Sequence, residues 1–205
     1  MISRSLPTSL LIAAALACAC TSGPSAPADE ASYLQKELAR RKAVDEQFRE
    51  AKDPIPPNKR DVLLPLRYYP PDPSYTVAAV LRLGQERPVV LMPTSTGTIR
   101  KYERVGVLEF TFKGESLSLG AFIEAGTKDI EGLFVPFVDA TSGKETYPAG
   151  RYLDIPPTTT GLYEIDFNRA YNPYCAYNAT YECPYPPASN RLKIEIRAGE
   201  KAPGA

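Results

Sequence analysis

Read for alternation, the chain divides into a helical stretch, an irregular lead-in and a run of short strands. Between residues 31 and 52, Leu34, Leu38, Val44 and Phe48 lie near one stripe at helical spacing among Glu, Lys, Arg and Gln. This predicts an amphipathic helix over 31–52, stopped by Asp53-Pro54 and needing a partner surface. Residues 53–74 carry seven prolines and read as an extended lead-in. Beyond them the period drops to two. Tyr75, Val77, Ala79, Leu81 and Leu83 share a face, and 107–123 reads as a hairpin. A two-residue loop at Gly114-Glu115, of type II′, pairs Phe112 with Leu117, Phe110 with Leu119 and Leu108 with Ala121. Leu133 to Val138 is an unbroken apolar run that suits a strand buried on both faces. Residues 150–155 and 161–167 make shorter strands, and Arg191 to Arg197 alternates throughout. Some eight or nine strands of this kind predict a mainly β protein: one antiparallel sandwich or barrel-like domain over 53–201, with a 202–205 tail.

The first residues change the picture by setting a compartment. Residues 1–17 hold one charge, Arg4, and an apolar run from Leu10 to Ala17 that is too short to span a bilayer. Small residues then precede Cys18 and Cys20, the arrangement of a lipoprotein signal whose cysteine is acylated. Cys18 is the preferred site, with Cys20 and an ordinary cleaved signal as the alternatives. Residues 18–30 are small, polar and proline-bearing and read as a flexible tether. The expectation is a protein of the bacterial cell envelope, lipid-anchored, with no Asp after either cysteine and so facing the periplasm from the outer membrane. Lys and Arg total 24 against 24 Asp and Glu, which gives neither a nucleic-acid footprint nor a polybasic pull toward anionic lipid; the acyl chains do the anchoring.

Composition also narrows the chemistry. The chain has no His, so the usual general base, the His-dependent nucleophile systems and the commonest zinc ligand are missing. No cofactor, no metal ligand set and no catalytic residue is assigned. Cys175 and Cys183 share a Pro- and Tyr-rich loop and are expected to form a structural disulfide outside the cytoplasm, against a reduced pair or a redox or metal role. Arg151 shares a strand face with Leu153 and Ile155, so its guanidinium needs a carboxylate, Asp139 or Asp166. That pairing reads first as structural. The functional alternative is a polar cluster of Arg151, Asp139, Asp166, Asn168 and Tyr152 that binds an anionic or polyhydroxyl ligand. A His-free hydrolase using Asp139 and Asp166 is the enzymatic rival. Asp166, Asn168 and Asn172 supply too few oxygens for calcium and read as turn caps. Six tyrosines between 163 and 185 read as a compact loop covering a small core, with carbohydrate or peptide contact as the alternative.

Three blocks are distinctive: PTSTGTIRKYERVG at 93–106, LFVPFVDATSGKETYPAGRYLDI at 133–155, and DFNRAYNPYCAYNATYECPYPPASNRLKIEIRAGEK at 166–201. Together they resemble the bacterial and archaeal family known as domain of unknown function 1684, over roughly 55–201. The resemblance implies no established activity. It does imply that a set of polar residues matters: Asp139, Thr141, Gly143, Thr146, Tyr147, Gly150, Arg151, Tyr152, Asp166, Asn168, Asn172, Asn190 and Arg191. The combined expectation is non-enzymatic binding of a small or extended envelope ligand or of a partner protein, with the hydrolase and a purely structural scaffold as rivals.

Overall fold

The structure, a computed structural model, describes residues 30–51, 54–128 and 130–204. The signal segment and both candidate lipidation cysteines, Cys18 and Cys20, lie outside the described residues.

Helix α1 spans Glu30–Glu50. It docks by only half of the expected stripe, Val44 and Phe48. Leu38 is 55% exposed. The face turned to the domain runs through Tyr33, Glu37, Arg41 and Phe48, and two of these are buried charges. Glu37 accepts from Arg41 Nε at 2.8 Å, and Arg41 Nη1 donates to the Tyr69 carbonyl at 2.7 Å. Tyr33 donates to Asp166 at 2.9 Å, and Asp45 accepts from the Leu66 amide at 2.8 Å. Phe48 is buried among Ile55, Leu64, Leu66 and Tyr177, with Val44 packed beside it. No helix among the described residues is long and apolar enough to cross a membrane.

The rest is mainly β, as the alternation predicts. Seven strands follow: β1 (Thr76–Leu83), β2 (Val89–Pro93), β3 (Ile99–Phe112), β4 (Glu115–Glu124), β5 (Leu133–Phe137), β6 (Arg151–Ile155) and β7 (Leu162–Asp166). They form one antiparallel sheet in the order β6-β5-β4-β3-β1-β7, curled into a half-barrel, with β2 pairing β3 beyond the end of β1. Leu108, Phe110 and Phe112 of β3 meet Leu119 and Ala121 of β4, Phe137 of β5, Leu153 of β6, Ile165 of β7 and Phe167 just beyond it in the main core.

Two expectations need correction. The hairpin turns at Lys113-Gly114, not Gly114-Glu115, so Phe112 faces Glu115 and Phe110 faces Leu117. The register differs from the expected one by two residues. A shift of two leaves every side chain on its own face, so alternation cannot detect it; the turn decides. Lys113 and Gly114 both take positive φ, +49° and +83°, which is a type I′ turn rather than II′. The Lys113 ammonium lies 5.0 Å from the centre of the Tyr75 ring and 5.2 Å from that of Phe112, which helps hold a non-glycine residue in that conformation. The second correction concerns Arg191 to Arg197, which bends at Lys193-Ile194 and is no strand of the sheet. Leu192 and Ile196 do point into the core. The Leu192 amide donates to Val138 and the Ile194 carbonyl accepts from Ala140, but the Ile196 carbonyl is taken by Arg151.

Candidate functional site

Strand β6 sorts its residues by pleat. Gly150, at φ +94°, delivers the chain into the strand at a point where a Cβ would stand 2.4 Å from the Phe137 carbonyl oxygen. From there Arg151, Leu153 and Ile155 face the core, and Tyr152 and Asp154 face the other side.

Arg151 is fully buried and pairs with Asp139, Nη2 to Oδ2 at 2.8 Å. The same Nη2 donates to the Ile196 carbonyl at 2.8 Å, while Nη1 donates to the carbonyls of Ala198 and Glu200. The other Asp139 oxygen accepts from the Thr141 amide and hydroxyl at 2.7 and 2.5 Å. This planar fork ties residues 196–200 to β6, which a lysine cannot do. Asn190 makes a second tie: it donates to the carbonyls of Gly120 and Pro136 and accepts from the Gly120 amide, each at 2.8 Å.

Of the five residues expected to cluster, the structure brings Arg151 and Asp139 together and sets Asp166 and Asn168 apart from them. Asp166 accepts from Tyr33, from the Asn168 amide at 3.0 Å and from Arg169 at 3.4 Å. It borders a smaller hollow of about 210 Å³. Asn168 is fully buried and exchanges hydrogen bonds with the Asp72 backbone at 2.9 and 2.8 Å. Asp139 and Asp166 therefore do not face each other across a cleft, and a hydrolase built on that pair has no geometry here.

Tyr152 alone among the five opens onto a cleft of about 520 Å³ on the sheet face opposite the main core. Alternation places Arg100 and Tyr102 of β3, Phe134 of β5, and Tyr152 and Asp154 of β6 on that face. Helix α1 adds Arg40, Val44, Gln47 and Phe48, and the loop after β7 adds Tyr171, Asn172, Tyr174, Tyr177 and Tyr181. Eight aromatic rings thus line one recess. Several meet edge to face: Phe134 with Tyr152 at 74°, Tyr152 with Tyr171 at 90°, Phe48 with Tyr177 at 72°. The tyrosine-rich loop divides between a small core and a cleft wall. Tyr177 joins the small core around Phe48, while Tyr171, Tyr174 and Tyr181 are cleft wall.

The sequence reading missed Glu200, which also lines this cleft. It is 4% exposed and accepts from Tyr177 at 2.5 Å and the Asn172 amide at 2.8 Å. Burial pushes its carboxyl up to about 7, against those hydrogen bonds and the nearby positive charges of Arg40 and Arg151. Asp154 accepts from Tyr171 at 2.7 Å. Among the described residues neither carboxyl forms an ion pair, while both cleft arginines do: Arg40 with Glu37 at 2.7 Å and Arg100 with Glu124 at 2.5 Å.

Cys175 and Cys183 are free thiols, which corrects the expected disulfide. They are neighbours without being bonded: the Cys175 amide donates to Cys183 Sγ at 3.1 Å. The hydrogen bond from Cys183, with help from Ser95 and Tyr147, brings the Cys175 thiol down to about 6 against the cost of burial.

No curated protein matches the chain. A solution structure of an uncharacterised protein from Haloarcula marismortui is similar, at 38% identity and TM-score 0.67, covering 83% of this chain and 95% of that one. That share exceeds what residues 64–205 alone supply, so the likeness reaches upstream toward α1. The family profile described as "Protein of unknown function (DUF1684)" matches residues 64–201, the span holding the Asp139–Arg151 pair, the tyrosine loop and Glu200, and the chain belongs to that family.

Proposed function

We propose that this is a non-enzymatic ligand-binding protein of the bacterial envelope, held by lipid on Cys18 or Cys20, with the aromatic cleft as its binding site. One observation carries the binding reading: a recess of about 520 Å³ walled by eight aromatic rings and holding carboxyl and guanidinium groups. Mostly apolar walls with a few oriented polar groups are the common make-up of small-molecule sites. Tyrosines add contact area at little cost in rotamer freedom. The lipid anchor is supported by the sequence of residues 1–20.

Two experiments test this. Thermal-shift screening against a panel of envelope-type small molecules and oligosaccharides is expected to find a ligand whose stabilisation disappears in Tyr174→Ala. That ring is 40% exposed, so its removal spares the core. A ligand whose stabilisation is indifferent to Tyr174→Ala and Tyr171→Ala places binding elsewhere. For the anchor, replacing both Cys18 and Cys20 by Ser is expected to move the protein out of the membrane fraction; a double variant that stays membrane-bound without precursor accumulating refutes it. The scaffold alternative draws on a different surface, the β2–β3 hairpin, where Val89, Leu91 and Ile99 are 55%, 57% and 60% exposed.

A further inference from the structure

The cleft is electrostatically lopsided. Each of its two guanidinium groups already has an acid beside it, Arg40 the Glu37 that it shares with Arg41, and Arg100 Glu124. Its carboxyls have no such partner: Asp154, Glu182 and Glu200 meet hydroxyls and an amide, never a cation within 4 Å among the described residues. A buried carboxylate without a counter-ion is costly, and a cation entering from outside removes that cost. Aromatic walls favour the same guest, because ring faces carry negative charge density and attract ammonium groups. A third, independent observation concerns Asn172, on the same wall and 2% exposed. Its amide nitrogen donates to Tyr177 and to the Lys201 carbonyl, but its Oδ1 is buried with no donor. A lone buried acceptor calls for a ligand that brings N–H or O–H.

We propose that the cleft receives a chain-like organic cation with ammonium groups at its ends, a di- or polyamine, one end at Glu200 on the floor and the other at Asp154 on the rim. This rests on the binding reading above and names its ligand class. The methylenes between the ammonium groups lie against the tyrosine rings, which gives apolar contact without unpaired polar atoms. The ammonium N–H groups satisfy Glu200 and the Asn172 acceptor together. A neutral sugar offers no counter-charge to either carboxyl. A dianion meets three acids without an ion pair and no guanidinium without an acid beside it.

Calorimetric titration of the full protein with spermidine and putrescine, beside 1,4-butanediol and maltose, tests this. The amines are expected to bind and the neutral probes to fail. Amine affinity is expected to fall about tenfold in Asp154→Asn, about 1.4 kcal/mol, and to weaken with added salt. Asp154 is exposed, so that variant folds whatever becomes of Glu200→Gln. Proton release should accompany binding near pH 7 as Glu200 ionises, measured from the buffer dependence of the heat. Tyr68, Tyr177, Arg40 and Arg151 are the other ionisable groups around Glu200, and both tyrosines are raised by burial and keep their protons there. Binding of maltose or the diol that Tyr174→Ala abolishes and Asp154→Asn leaves unchanged overturns the amine assignment and leaves the binding reading standing. Amine binding unaffected by both variants overturns the site itself. No binding by any of the four overturns the amine assignment, and the panel screen then decides the binding reading alone.

Discussion

Two carboxyl groups sit on opposite faces of the same curled sheet, and both are almost wholly out of water. Asp139 has a guanidinium, an amide and a hydroxyl around it, all within 2.8 Å. Glu200 has two phenols, Tyr177 close and Tyr68 at 3.5 Å, and an amide, but no salt bridge. The difference is one of completeness. A buried charge paired with a guanidinium and bonded on both oxygens is a fastener and has little left to offer a guest. A buried acid that is only partly met sits near neutrality, with its pKa drawn up to about 7, and can change state when something arrives.

The comparison breaks most violently at Arg151. Arg151→Met leaves the Asp139 carboxylate buried without its cation and is expected to cost about 3–5 kcal/mol in denaturant unfolding. Adding Asp139→Asn should recover part of that loss, because the stranded charge is gone. A cost under about 1 kcal/mol for Arg151→Met would mean the pair is not the fastener described here.

Glu200 sharpens the contrast through pH. Its folded pKa, about 7, lies above the ordinary carboxyl value of 4.5, so the native state holds the proton more tightly than the unfolded one. Stability therefore falls as pH rises from about 4.5 to 7 and levels off above that range. The full effect is at most about 3 kcal/mol. Glu200→Gln should flatten that slope in unfolding curves taken at several pH values. An unchanged slope would assign it to other groups.

The smallest effect belongs to the hairpin far from both groups. Gly114→Val forces a β-branched residue to φ +83° in an open turn with nothing near its Cβ. It is expected to cost about 1 kcal/mol or more in backbone strain alone, measured by thermal unfolding, while leaving any ligand binding intact.

How far these features could be read from the sequence follows the range of the interactions. Arg151 on an apolar strand face demands an acid, and Asp139, on the neighbouring strand end, was one of two candidates. Most strands follow from the apolar pattern, but β2 and the first half of β3 do not, because Val89 to Met92 has no period of two and 99–106 is mostly polar. The hairpin register does not, because a shift of two conserves every face and only the turn conformation separates the alternatives. The docking face of α1 was hidden because Glu37 and Arg41 look like solvent charges, although Tyr33, Glu37 and Arg41 do repeat at intervals of four. The cleft was least legible. Its walls come from α1, three strands and the loop after β7, and Glu200 stands in a plain Ala-Gly-Glu-Lys stretch with no local sign of burial.

The ties from Arg151 to residues 196, 198 and 200 also bear on the order in which the molecule is finished. A chain emerging from a ribosome, or threading through a translocon, amino end first presents α1, all seven strands and the tyrosine loop before Glu200 arrives. Until then Arg151 lacks the three carbonyls it fastens, and the cleft has walls but no floor. The contacts that complete the site span 45 residues and more in sequence, so they close late, after the costliest loops. The floor of the cleft is thus laid after its walls, when one short segment is drawn in beside the sheet.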